Sequence, residues 1–162
     1  MTGTWKPLPN LDKYCFACGT ENNFGLQMQF SSNETQVKSV LTLPDHTRGW
    51  CNLVHGGILA TILDEIMSWT AIYLTRHFIL TRNIEISFKK PVFIGTPLTA
   101  TGSIIARDGK KALLGAQIHD DSGTLCCTAE AGFVLYTQAE FARMNIIPHD
   151  FLEEMSANFT GE

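Results

Sequence analysis

The segment from Gly56 to Thr75 constrains this chain more than any other. Apolar residues recur there at Ile58, Leu59, Ile62, Leu63, Ile66, Met67, Trp69, Ile72 and Tyr73, which is a helical period. Asp64 and Glu65 are the only charges between His55 and Arg76. A helix apolar around so much of its circumference is expected to be enclosed on most sides. The flanking sequence reads as what encloses it. Leu26 to Phe30 and Gln36 to Leu43 alternate as a first pair of strands, with a turn at Ser31-Ser32-Asn33-Glu34. Ile79 to Phe88, Leu98 to Ala106, Ala112 to His119 and Leu125 to Tyr136 follow at short spacing. Asp108-Gly109 and Ser122-Gly123 stand where hairpin turns are needed, and glycine supplies the positive φ. Two strands, one long helix and four strands predict an α+β fold, an antiparallel sheet wrapped around a central helix. Strands grouped in this way argue against a parallel α/β sheet.

Before the first strand, residues 1–25 are rich in Pro, Asn and Gly and read as an irregular lead-in; 26–137 read as the folded domain. Residues 138–162 read as a tail of short helices broken at Pro148. At 162 residues the chain suits one domain and can bury a core unaided. Twelve basic against 16 acidic side chains give a net charge of −4, which excludes a dedicated nucleic-acid binder with its basic face. Charged residues make up 17% of the chain, against about 25% in ordinary domains. That deficit predicts surface buried in an oligomer or an apolar ligand groove. The start, Met1 to Pro7, has no apolar leader pattern, and the unbroken apolar stretches near the middle, such as Ile58-Leu59-Ala60, are far short of a membrane span. Five cysteines, an odd count, then read as reduced thiols in a cytoplasmic protein.

Chemistry concentrates at three places. Val54-His55-Gly56-Gly57 opens the helix, Asp64 lies within it, and Cys15-Phe16-Ala17-Cys18-Gly19 precedes Asn22 and Gly25-Leu26. First-turn N–H groups of a helix lack internal partners and sit at the positive end of its dipole. Glycine there lets another chain come close to the backbone. A carbonyl placed at such a mouth has its developing oxyanion stabilised, by about 2.7–4 kcal/mol per good donor. A carboxylate among Ile, Leu and Trp neighbours is expected to have a raised pKa and a reactive anion.

In this order and spacing the motifs resemble the hotdog-fold acyl-CoA thioesterases of the phenylacetate-pathway type. The resemblance runs from about Tyr14 to Tyr136. It takes in the Cys-Phe-x-Cys-Gly-x-x-Asn-x-x-Gly-Leu lead-in, Gly49-Trp50, His55-Gly56-Gly57, Asp64-Glu65, Pro91-Val92 and Gly95. It implies a hotdog fold and hydrolysis of an acyl-CoA thioester to free acid and CoA. Gly56 N–H would be the oxyanion donor and Asp64 the general base or nucleophile. Thr81, ten residues before Pro91, would position the attacking water. The resemblance implies no cofactor, and a homodimer or homotetramer in which donor and acid come from different subunits. His55, Gly57, Asn52, Lys89 and Lys90 are the accompanying candidates for substrate binding, the lysines for the phosphates of coenzyme A. Gly49 departs from the pattern, because several relatives carry Asn or Gln six residues before the His.

Plainer readings stand beside these. Thr61, Asp64, Glu65 and Ser68 fall at i, i+3, i+4 and i+7 and form a stripe that could be solvated; Glu65 is assigned to solvent. His55 reads as a residue that orients the helix start. Thr81 could be a plain strand residue, and Lys89-Lys90 ordinary surface charge. Cys15 and Cys18 have Cys-x-x-Cys spacing, but no second pair follows at zinc-site distance. Cys126-Cys127 would point to opposite faces of a strand, so no metal is expected. The competing function is a hotdog module that binds or senses acyl-CoA without turnover. A hotdog dehydratase would need a catalytic His paired with an acid, and His55 at a glycine-lined helix mouth fits that less well.

Overall fold

The computed structural model describes residues 3–159. Among them seven strands form one antiparallel sheet: β1 Lys6–Pro7, β2 Ser31–Ser32, β3 Gln36–Thr42, β4 Phe78–Phe88, β5 Pro97–Asp108, β6 Lys111–Asp120 and β7 Leu125–Tyr136. Their spatial order is β1-β2-β3-β5-β6-β7-β4, so β4 pairs only with β7 and ends the sheet. The helix α1, Gly56–Thr75, lies against β3 to β7, and two short helices, α2 Gln138–Ala142 and α3 His149–Phe159, follow the last strand. This is the expected α+β architecture, an antiparallel sheet wrapped on one long helix.

The enclosure of α1 is as its composition demands. From Ile58 to Thr75 no residue is exposed, and Ile62, Leu63, Ile66, Met67 and Ala71 are fully buried. By length and apolarity alone α1 could also cross a bilayer. Counting unbroken apolar runs missed this, because Thr61 and Asp64 interrupt the run without making the helix polar. The sheet comes close to the helix at Gly102 of β5. A Cβ there would lie 2.3 Å from Thr70 Oγ1 and 3.0 Å from the Ile66 carbonyl oxygen. At the far end Arg76 caps the helix in the left-handed region, φ 58°, and lays its guanidinium over the Tyr73 ring at 4.4 Å. Phe30 stacks on Trp69 at 5.0 Å and Phe78 on Phe141 at 5.1 Å, tying the segment before β2 and the tail to the same core.

Two sequence expectations change. Leu26 to Phe30 alternates in burial, with Leu26, Met28 and Phe30 inside, but it is not a ladder strand. Gln27 takes a left-handed φ of 49°, and the segment bonds to the lead-in instead: Leu26 N–H donates to the Phe16 carbonyl and Met28 N–H to that of Ala17. Its partner is therefore the segment that looked irregular. The polar stripe Thr61, Asp64, Glu65, Ser68 is half-buried along its length rather than solvated, because lead-in and sheet edge both overhang it.

Candidate active site

The helix mouth is built by the loop before it. Val54 N–H donates to the Val92 carbonyl at 2.9 Å, and His55 N–H to that of Thr47 at 3.0 Å. His55 is the N-cap, with extended backbone, and its Nδ1 accepts the Gly57 N–H at 2.9 Å. The ring therefore occupies one of the first-turn donors, the role of a helix-start residue. Gly56 N–H, one position earlier, meets no acceptor among the described residues. Gly56 borders a surface cleft of about 290 Å³ with Phe88, Lys89 and Lys90. Both lysines are exposed, and their own N–H groups donate to the Cys126 carbonyl, which fixes the backbone that carries them.

Gly49 sits behind this mouth. A Cβ there would lie 3.2 Å from His55 Cα and 3.4 Å from its ring, so a side chain in that position requires His55 to give by a few tenths of an ångström. Asn52 takes a different part: its carbonyl accepts the Ile94 N–H at 2.9 Å, which closes the loop, and its side chain is exposed.

Two turns along α1, Asp64 is half-buried and its Oδ1 accepts a hydrogen bond from Thr81 Oγ1 at 3.0 Å. Burial raises the Asp64 pKa above the ordinary carboxylate value, and the Thr81 hydroxyl partly opposes it. The β4–β7 register slips between Thr81 and Asn83. Such a bulge re-aims a side chain, and here Thr81 bonds to the helix carboxylate. No salt bridge holds Asp64 among the described residues.

Asp64 and Gly56 do not meet within one chain. Eight residues apart on one helix, they are separated by about 12 Å along its axis at 1.5 Å per residue. The chain thus carries two candidate half-sites, Gly56 with Lys89 and Lys90 at the mouth and Asp64 with Thr81 near the sheet edge. Thr81 is exposed on β4, the edge strand.

Glu65 is a correction to the sequence reading. It does not face solvent: Trp69 Nε1 donates to its Oε1 at 3.1 Å and the Cys15 thiol at 3.8 Å. Burial pushes its pKa up to about 7. Cys15 is lowered to about 6, chiefly by its hydrogen bond with Cys18, whose own thiol is correspondingly raised. No spacing rule pairs Glu65 with a turn 47 residues earlier. The Cys-x-x-Cys motif was the available signal, but it does not say which element it meets.

An antiparallel sheet around a central helix whose mouth is a capped His-Gly-Gly turn defines a hotdog-fold protein. Residues 52–127 match the family model of the thioesterase superfamily. A crystal structure described as a thioesterase superfamily protein superposes with a TM-score of 0.70 at 25% identity, covering 75% of this chain and 60% of that one. The E. coli PaaI protein from the phenylacetic acid degradation operon shares the fold at a TM-score of 0.63 and 18% identity, over 68% of this chain and 80% of that one. Among curated proteins, acyl-coenzyme A thioesterase THEM4 of Xenopus laevis is 24% identical over 75% of this chain and 64% of its own length. The corresponding protein of Mus musculus is 26% identical over 74% and 52%. This chain thus spans between about half and two thirds of the length of these curated relatives.

Proposed function

We propose that this chain is an acyl-CoA thioesterase, with its working site assembled from two copies. The Asp64–Thr81 pair carries the proposal: a half-buried carboxylate without a cation, pinned at one oxygen by a hydroxyl, is poised to take a proton. Support comes from the names of the curated relatives and from a Streptococcus pneumoniae thioesterase of the same fold crystallised with coenzyme A (20% identity, 62% of this chain and 81% of that one, TM-score 0.60).

In this mechanism Thr81 holds Asp64 Oδ1, which leaves the second carboxylate oxygen to take a proton from water. The resulting hydroxide attacks the thioester carbonyl, whose oxygen becomes an anion beside the Gly56 N–H at the positive end of α1. The tetrahedral intermediate collapses by breaking the C–S bond. Coenzyme A leaves as its thiolate and regains a proton from Asp64. Lys89 and Lys90, on the same cleft as Gly56, meet phosphates of the CoA moiety. The chemistry needs no cofactor, since a base and an oxyanion donor suffice for water attack. If Asp64 instead attacks directly, the C–S bond breaks to give a mixed anhydride and CoA thiolate, and water attack at the Asp64 carbonyl of that anhydride leaves ¹⁸O in the Asp64 carboxylate after a single turnover in ¹⁸O-water.

The separation of Asp64 from Gly56 along α1 makes a homo-oligomer, at minimum a dimer, part of the proposal. The unpaired edge of β4, with Ile84 and Phe88 exposed on it, is where the second copy fits. Free thiols at all five cysteines suit a reducing, cytoplasmic setting.

A panel of acyl-CoA esters followed by thiol release tests turnover. Binding without release would replace the enzyme with the acyl-CoA-binding module. Subunit complementation tests the assembly. Asp64→Asn and Gly56→Pro are each expected to be inactive alone, and the remixed pair to regain about a quarter of wild-type activity. That fraction follows because half of randomly mixed dimers are hybrids, each with one intact site of two. Mixtures that stay inactive after verified subunit exchange would place donor and acid in the same chain's site and refute the shared arrangement.

A further inference from the structure

We propose that Cys15, Cys18 and Glu65 form a binding site for one soft divalent cation of the zinc type, which fastens the lead-in to α1. The two sulfurs and a carboxylate oxygen all lie within 4.8 Å of one another. Around tetrahedral zinc, with Zn–S near 2.3 Å, sulfur ligands stand about 3.7 Å apart, so closure onto an ion needs only small movements. Thiolate and carboxylate are zinc donors, and two of the first with one of the second leave a single net negative charge around a divalent ion.

The site is built rather than accidental. Residues 13–19 are folded into a tight turn that presents both thiols. Tyr14 and Cys15 N–H groups both donate to Asp12 Oδ1 at 3.1 Å, and Gly19 N–H donates to the Cys15 carbonyl at 2.8 Å. Gly19 allows no substitute: a Cβ would lie 2.5 Å from both the Cys15 and the Lys13 carbonyl oxygens. On the helix side Trp69 Nε1 holds the Glu65 carboxylate, the outer-shell hydrogen bond that orients a ligand. Asn10 supplies an independent sign. Its amide nitrogen donates to the Cys18 carbonyl, while its Oδ1 is buried with no hydrogen-bond partner among the described residues. The sequence offered only two cysteines; the helix brings the third ligand.

The test uses the full chain, reduced and freed of metal by chelation, titrated with Co²⁺ as a spectroscopic probe. The expected result is one equivalent per chain, with thiolate-to-cobalt charge-transfer absorption and tetrahedral d–d bands, both abolished by added Zn²⁺. Cys15→Ser and Cys18→Ser each lose the charge-transfer intensity, whereas Cys51→Ser, at an exposed cysteine, keeps it. Glu65→Gln weakens binding by no less than the roughly 10–100-fold that outer-shell changes cost. Circular dichroism of each metal-free variant confirms the fold. Should a serine variant fail to fold, Glu65→Gln alone decides. No charge-transfer band at stoichiometric Co²⁺ would overturn the proposal, as would a band that persists in the double serine variant or is indifferent to Glu65→Gln.

Discussion

Asp64 and Glu65 are adjacent carboxylates on one helix, and the fold gives them opposite surroundings. One residue of α-helix turns the side chain by about 100°. That rotation sends Asp64 toward the edge strand, where Thr81 donates to it, and Glu65 toward the lead-in, where Trp69 and Cys15 both donate to it. Burial raises both pKa values, so desolvation does not separate their roles. The difference lies in what can approach. The Asp64 side ends at an unpaired strand edge, open to water and to a second copy of the chain. The Glu65 side is closed by the chain's own lead-in. A raised pKa marks both a catalytic and a structural carboxylate, and access decides between them.

The sharpest way to break this comparison is to remove each charge in turn. Asp64→Asn is expected to lower turnover by about 10²–10⁴-fold, the usual value of a general base, with acyl-CoA binding and the fold retained. Glu65→Gln should leave turnover within about threefold of wild type, because it touches neither half-site, an effect below 1 kcal/mol. Steady-state thiol release checks both. A larger loss from Glu65→Gln than from Asp64→Asn would reverse the assignment.

Gly56→Pro is the next largest. Proline is at home in the first position of a helix, where its missing N–H costs no internal hydrogen bond. His55, at φ −63° and ψ 135°, already has the backbone that precedes proline readily, and a Cβ at Gly56 would meet only the Phe88 ring, at 3.7 Å. The substitution therefore deletes one donor and little else. It should cost about 10²–10³-fold in kcat if that donor holds the oxyanion. Unchanged kcat would take the oxyanion role away from Gly56. On the closed side, Trp69→Phe should leave turnover intact and cost about 1–3 kcal/mol of stability by urea unfolding, since it strands a half-buried carboxylate without its indole donor.

Much of this was legible in the sequence, for identifiable reasons. The α1 bounds, Gly56–Thr75, and the last strand, Leu125–Tyr136, follow the patterning residue for residue, because apolar period and glycine turns agree there. Gly109 and Gly123 take the positive φ expected of them, 55° and 79°. Leu26 to Phe30 could not be read correctly: its alternation is real, but whether an extended segment joins the sheet depends on its partner, and Gln27 turns it toward the lead-in. Within the candidate site, the family resemblance pointed to Asp64, Thr81, Gly56 and the two lysines, and the fold sets Thr81 against Asp64 and both lysines on the cleft with Gly56. The Glu65–Cys15–Cys18 contact was not legible, because it joins two elements through a tertiary packing choice that no local spacing encodes. The unreadable part lies where the lead-in meets the helix.

The smallest effect probes the hydrogen bond that distinguishes Asp64. Thr81→Val keeps the shape of the side chain and removes the hydroxyl that donates to Oδ1. That hydroxyl favours the ionised carboxylate, so its loss must raise the Asp64 pKa further. The base works only when ionised, so turnover falls as pH drops through the Asp64 pKa. In the wild type this midpoint lies above the ordinary aspartate value of 3.8. In Thr81→Val the acid limb of the kcat profile should therefore move to higher pH. On the plateau the loss should be modest, roughly 2–10-fold, because the carboxylate is still present but less firmly aimed. Glu65 titrates beside it, so the same profile in Glu65→Gln, with its acid limb unmoved, assigns the limb to Asp64. An acid limb that stays in place in Thr81→Val and moves in Glu65→Gln would mean that the enclosed carboxylate, not the one at the strand edge, governs the reaction.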